Sequence, residues 1–224
     1  LWDIVNTLKN IAIGEEVNAR IPRVSISQYA KHMRAPHRMD LMISSMEKEG
    51  KWNCNQKCVH CYAAGQVQGN QKELTTSEWK KIIDKCKSIG IPQITFTGGE
   101  PTLRKDLVEL INYSKWFVTR LNTNGVLLTK ELCNKLYKAS LDSVQITLYS
   151  DKKEIHNELV GAENFDKTVQ GIKNAIEAGL NVSVNTPLCT TNQEYKETLK
   201  FLNELGVKYV SCSGLIVTGN AKKE

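Results

Sequence analysis

Three cysteines stand within eight residues of this 224-residue chain, in the order Cys54-Asn-Gln-Lys-Cys58-Val-His-Cys61. Three thiolates on one short loop can each take a separate iron of a cubane iron-sulfur cluster, which leaves the fourth iron without a protein ligand. Such an iron is open to a small chelating molecule, to which the cluster can pass an electron. The competing chemistry is a structural zinc site, yet tetrahedral zinc generally takes four protein ligands at paired Cys-x-x-Cys spacing. His60 is the nearest fourth donor, and its adjacency to Cys61 makes joint ligation awkward.

Four further polar segments follow. Thr97-Gly98-Gly99-Glu100-Pro101 offers two glycines that let a backbone approach a ligand closely, with carbonyls and a carboxylate as acceptors for an ammonium group. Taken alone, such a string is also an ordinary turn. Asn122-Thr123-Asn124-Gly125 reads equally as an Asn-Gly turn or as a ligand-facing loop. Val144 to Ser150 presents Thr147 first and Ser150 second as hydroxyls for a ligand, with local capping as the other role. Val182 to Leu188 presents Asn185, whose amide can serve a ligand or its own backbone.

These segments need elements to place them. From Arg38 onward, short β-branched runs alternate with helical patterns, the signature of successive βα units around a parallel sheet. The expected strands are Met39 to Ser45, Gln93 to Thr97, Phe117 to Asn122, Ser143 to Leu148, Asn181 to Thr186 and Lys208 to Ser213. Between them, Trp79, Ile82, Ile83, Cys86 and Ile89, then Leu107, Leu110 and Ile111, then Val169, Ile172 and Ile176 recur at helical spacing. Thr75 with Glu78, and Thr191 with Glu194, have capping-box spacing. Gly90, Gly179 and Gly206 close helical patterns directly before strands. Every polar segment thereby falls at the C-terminal end of an expected parallel strand, the face on which barrels of this kind build their sites.

With that placement, the cysteine spacing resembles the defining CxxxCxΦC motif of the radical S-adenosylmethionine (SAM) superfamily. The likeness runs from about residue 39 to residue 219. It implies an α/β fold, a partial (βα)6 TIM-like barrel, and an enzyme that reductively cleaves SAM at a 4Fe-4S cluster to a 5'-deoxyadenosyl radical. By resemblance Cys54, Cys58 and Cys61 are the catalytic cluster ligands. His60, in the usually aromatic position, lies near the adenine of SAM. Gly98, Gly99, Glu100 and Pro101 match the GGEP motif that binds its amino group, while Asn124, Thr147 or Ser150, and Asn185 supply further contacts. The run from Gln145 through Ile155-His156 and Gly161 to Phe165-Asp166-Lys167 is similar to members that mature peptides or cofactors and carry a C-terminal SPASM or twitch domain. A peptide substrate and a reductant such as flavodoxin or ferredoxin are the implied partners.

Composition narrows the remainder. Seven cysteines are an odd number, and their clustering suits metal ligation in a reducing cytoplasm better than a disulfide framework. Cys86 and Cys133 fall on apolar helical faces and are expected to pack. Packing is also the expectation for Cys189 and Cys212, with a second-cluster ligand role open for Cys212. No apolar stretch approaches the ~20 residues that span a bilayer, so no membrane partner is expected. The formal charge of +6 leaves nucleic acid open as a partner, with an RNA-modifying enzyme as the alternative catalytic reading and a non-catalytic iron-sulfur or zinc module as the other. Residues 1 to 37 read as an N-terminal extension opened by a short amphipathic helix through Leu1, Ile4, Val5, Leu8 and Ile11. Residues 38 to 224 form the core barrel, and the few residues after the sixth strand lead us to expect a C-terminal truncation.

Overall fold

All six expected runs are strands, because each alternates a side chain that can enter a core with one that can face water or a ligand. The computed structural model describes residues 9–15, 27, 30–48, 51–65 and 72–223. Two compact units divide the chain, Leu1–Arg34 and Ala35–Glu224. In the first, residues 9–13 are helical and Ile11 is exposed; Leu1, Ile4, Val5 and Leu8 lie outside the described residues.

In the second unit the order is β1 (Arg38–Ser44), β2 (Glu47–Lys48), β3 (Lys51–Trp52), α1 (Thr76–Ser88), β4 (Gln93–Gly98), α2 (Leu107–Tyr113), β5 (Val118–Thr123), α3 (Lys130–Lys138), β6 (Ser143–Thr147), α4 (Lys153–Val160), α5 (Phe165–Glu177), β7 (Asn181–Pro187), α6 (Tyr195–Glu204) and β8 (Tyr209–Ser213). One six-stranded sheet runs β1-β4-β5-β6-β7-β8, every pair parallel. Sequential parallel neighbours joined by helical crossovers make a (βα) barrel left open between β1 and β8.

The outward face of the sheet is apolar. Leu41, Ile43, Ile94, Phe96, Leu121, Val144, Ile146, Val182 and Val184 are buried there with Trp79, Ile83, Leu110, Ile111, Leu136 and Ile172 of the helices. Cys86 and Cys133 belong to the same core, as their helical positions predict. Ile89 lies beyond the buried stripe of α1 and is 54% exposed. On the inward face most alternate residues are polar, Asp40, Thr95, Thr97, Arg120, Asn122, Ser143, Gln145, Thr147, Ser183 and Asn185, with Met42 and Val118 as apolar exceptions. Closed barrels fill this space with branched apolar side chains, so a polar lumen marks a space meant for a ligand or water.

Some expectations are corrected. Thr75 and Glu78 form the capping box of α1, and Gly90, Gly179 and Gly206 adopt φ of 83°, 82° and 84°. Thr191 and Glu194 form no such box. Residues Thr190–Asn192 make a single 3-10 turn, because Asn192 is tied down by Nδ2 donating to the carbonyls of Tyr149 (2.8 Å) and Pro187 (3.0 Å). The helix therefore starts only at Tyr195. The β6–β7 crossover holds two helices, and the hairpin β2–β3 is too short to leave a periodic trace. Every residue of β8 is exposed, so Cys212 is not packed as expected; Cys189 is half-buried against the small apolar cluster of Tyr149, Leu159 and Val160. Among the described residues no helix is long and apolar enough to cross a membrane.

Candidate functional site

The cysteine loop follows β3 and is clamped from below by the end of α4. Lys57 and Val59 donate their amides to the carbonyls of Val160 (2.8 Å) and Leu159 (3.0 Å). Gly161, which ends α4 at φ 60°, lies so close that a Cβ there would stand 2.7 Å from the Lys57 carbonyl oxygen, a contact no other residue type fits. Asn164 donates to the carbonyl of Asn55 at 3.1 Å and Asn124 to its side-chain oxygen at 2.6 Å. From the chain's other end, Asn220 donates its amide to the Cys61 carbonyl (3.0 Å) and its Nδ2 to the Cys58 carbonyl (3.2 Å).

So held, Cys54, Cys58, His60 and Cys61 line one wall of a cleft of about 300 Å³ at the C-terminal end of the sheet, with Gly98, Gly99, Glu100, Asn124, Thr147 and Asn185 opposite or beneath. The volume lies at the small end of ordinary ligand sites. Pro101 and Ser150 do not line it. Pro101 is buried at the first position of a 3-10 turn, and Ser150 Oγ accepts from the Lys152 amide at 3.0 Å, the local capping role. The structure brings the other ten sequence-predicted residues together and adds Asn122, Gln145 and Tyr149. Gln145 and Asn122 were legible as inward-facing strand positions; Tyr149 carries no sequence signal, since it follows the strand.

Gly98 and Glu100 are also built into the fold itself. Gly98, at φ 146°, pairs with Ser44 at an irregularity in β1, and a Cβ on it would lie 2.4 Å from the Ser44 carbonyl oxygen. Close approach of the two strands is what this glycine permits. Glu100 is 1% exposed. Its carboxylate accepts from the amide of Thr102 (2.9 Å), the hydroxyls of Thr102 and Thr123 (2.7 Å for the latter) and the amide of Asn124 (2.9 Å). Burial raises its pKa above the ordinary carboxyl range while these donors act in the opposite sense. Its oxygens are committed to the protein, which makes Glu100 the post that holds Asn124 and, through it, the cysteine loop.

Burial pushes the Cys58 thiol up to about 12, with Cys61 and Cys54 adding to the rise, and the Cys54 thiol up to about 11. Thiols as desolvated as Cys54 and Cys58 favour their thiolate forms only beside concentrated positive charge, such as cluster iron supplies. Among the described residues no three His, Cys, Asp or Glu side chains converge as ligands of a single ion would. A cubane does not require that convergence, since each thiolate takes its own iron. The donor set thus fits a three-cysteine cluster better than zinc.

Tyr149 packs edge-on to His60, ring centroids 4.8 Å apart, and its amide donates to His156 Nδ1 at 3.3 Å. His156 is fully buried, and burial lowers its pKa from 6.5 to about 4. The unfolded chain takes the proton first, so the stability contributed is complete above pH 6.5 and is lost as pH falls towards 4. The span amounts to roughly 3 kcal/mol. Unfolding free energies measured by urea between pH 7 and 4 should show this decline in wild type and lack it in His156→Gln; parallel curves would refute the assignment.

Comparison with known proteins gives a consistent result. The profile of the radical SAM superfamily matches residues 53–205. An Fe-coproporphyrin III synthase of Methanosarcina barkeri (strain Fusaro / DSM 804) is 34% identical over 180 residues, 77% of this chain and 45% of that protein. A probable GTP 3',8-cyclase of Saccharolobus islandicus (strain M.14.25 / Kamchatka #1) is 34% identical over 175 residues, 75% of this chain and 56% of that protein. The chain spans about half the length of these curated relatives. Among solved structures, Streptococcus suis SuiB bound to S-adenosylmethionine superposes with a TM-score of 0.70 at 20% identity, covering 98% of this chain and 52% of SuiB. Native anSMEcpe with bound AdoMet gives 0.67 at 18% identity, covering 80% and 51%. These two structures share the fold.

Proposed function

This chain belongs to the radical SAM superfamily, and on that premise we propose that it is the catalytic core of an enzyme that uses SAM and a 4Fe-4S cluster to mature a peptide or a cofactor precursor. The observation that carries the reading is the convergence of Cys54, Cys58 and Cys61 on the same cleft as the ends of β4, β5, β6 and β7. Such a cluster with SAM supplies reductive cleavage to methionine and a 5'-deoxyadenosyl radical that takes a hydrogen atom from substrate.

This chain's residues do the positioning. The three thiolates would hold three irons of the cluster, with the fourth left for the amino and carboxylate groups of SAM. Gly98 and Gly99 bring backbone carbonyls to the cleft as acceptors for the ammonium. Thr147 and Asn185 offer polar contacts from β6 and β7, and His60 with Tyr149 gives a buried aromatic wall for the adenine. Asn124 acts through the loop it braces. Tyr149, Ala63, Leu215 and Ile216 keep part of the cleft apolar, which limits the access of water to a reactive radical.

The substrate class rests on the company the chain keeps. The curated relatives are named for a porphyrin synthase and a GTP cyclase, and one SuiB structure holds a precursor peptide. A flavodoxin or ferredoxin is the natural electron donor. The test is anaerobic reconstitution with iron and sulfide, reduction, and addition of SAM. 5'-Deoxyadenosine is the expected product. A reconstituted, reduced centre that neither cleaves SAM nor changes its electron paramagnetic resonance on adding SAM would leave an electron-transfer module instead.

A further inference from the structure

The inward face of the sheet has a second feature, at the end opposite the cleft. The first residues of β6, β7 and β8 surround a depression of about 330 Å³ lined by Arg120, Ser143, Asn181, Ser183, Tyr209 and Ser211. Arg120 is half-buried there, and its charge is not balanced. Nη2 donates to the Gln145 side-chain oxygen and, at 3.4 Å, to Ser183 Oγ, both neutral acceptors. Nε is buried with no partner, and Arg120 makes no ion pair among the described residues. Asp40, the carboxylate whose charge acts on it, is already held by Arg38 at 2.9 Å. Burying a guanidinium without a counter-ion is costly, and such a group is selective for planar or tetrahedral oxyanions.

We propose that Arg120, with the hydroxyls of Ser143, Ser183 and Ser211, forms a binding site for a carboxylate or phosphate group at the floor of the barrel. The guanidinium has donors to spare, and each hydroxyl can rotate to donate to an anion. Ser211 Oγ now donates to Asn185 Oδ1 at 2.9 Å, and Ser183 Oγ faces the Val144 carbonyl at 3.5 Å, so both have acceptors to exchange. Gln145 joins this site to the upper cleft, whose wall it also lines. The site requires neither cluster nor SAM and stands if the proposed function falls.

The test is nitrogen-15 NMR of the 224-residue chain, titrated at constant ionic strength with inorganic phosphate and, separately, with succinate. Saturable shifts confined to the amides around Arg120, Ser183 and Ser211 are expected from at least one of the two, and which one identifies a phosphate-bearing or a carboxylate-bearing ligand. Arg120→Gln should weaken the apparent affinity by about tenfold or more, the scale of one charge-assisted hydrogen bond. Ser211→Ala, on an exposed strand that tolerates change, should weaken it by a smaller factor with unaltered Tm. Shifts that rise linearly without saturation for both probes, or equal affinity in wild type, Arg120→Gln and Ser211→Ala, would overturn the proposal.

Discussion

Replacing Cys58 with alanine is expected to leave a folded chain that assembles no brown cluster and yields no 5'-deoxyadenosine. Cys58 is the informative choice among the three motif cysteines because the backbone on both sides of it is fixed independently of its sulfur, by the bonds from Lys57 and Val59 to the end of α4. Losing the thiol removes some packing against Tyr149, Leu159 and Val160, worth about 1 kcal/mol, too little to unfold the barrel. What it removes from the chemistry is absolute, since two thiolates leave two irons without protein ligands. Iron and sulfide analysis, the visible spectrum and circular dichroism measure the three claims separately. A variant that keeps colour and SAM cleavage would sink the cluster assignment, whereas one that unfolds would show the thiol to be structural.

Glu100→Ala is expected to lower stability by about 2 to 6 kcal/mol, because the two amides of Thr102 and Asn124 cannot turn away and each orphaned buried donor costs about 1 to 3 kcal/mol. The hydroxyls of Thr102 and Thr123 can find other acceptors and add little. For a unit of this size the loss corresponds to a fall in Tm of several degrees or more. Glu100→Gln, which returns one acceptor oxygen but points an amide donor at existing donors, should fall between alanine and wild type. Thermal unfolding of the protein without SAM decides it. Were Glu100 chiefly a ligand for SAM, the variant would keep its stability and lose only SAM affinity.

The framework was readable from local pattern. Inward polar and outward apolar alternation in β4 to β7, the capping box of Thr75 with Glu78 and the left-handed glycines each depend on residues a few positions apart. The cysteine motif was readable for the same reason, since its three thiols lie on one loop. Misreadings arose where the deciding partner is distant in sequence. Asn192 overrides the Thr191 cap by reaching the Tyr149 carbonyl. Cys212 is exposed because β8 lies at the edge of the sheet.

By itself the sequence determined the succession of the six parallel strands and the grouping of three thiols on one loop, because period and spacing are properties of a contiguous chain. Only the tertiary structure decided what those polar groups do. It packed Gly98 against β1, closed Glu100 inside a ring of four donors, and set Asn124, Asn164 and Asn220 from three remote segments against one cysteine loop. A hydrogen-bonding group is indifferent to sequence distance and sensitive to geometry, so its partner is settled when the chain is folded and not before.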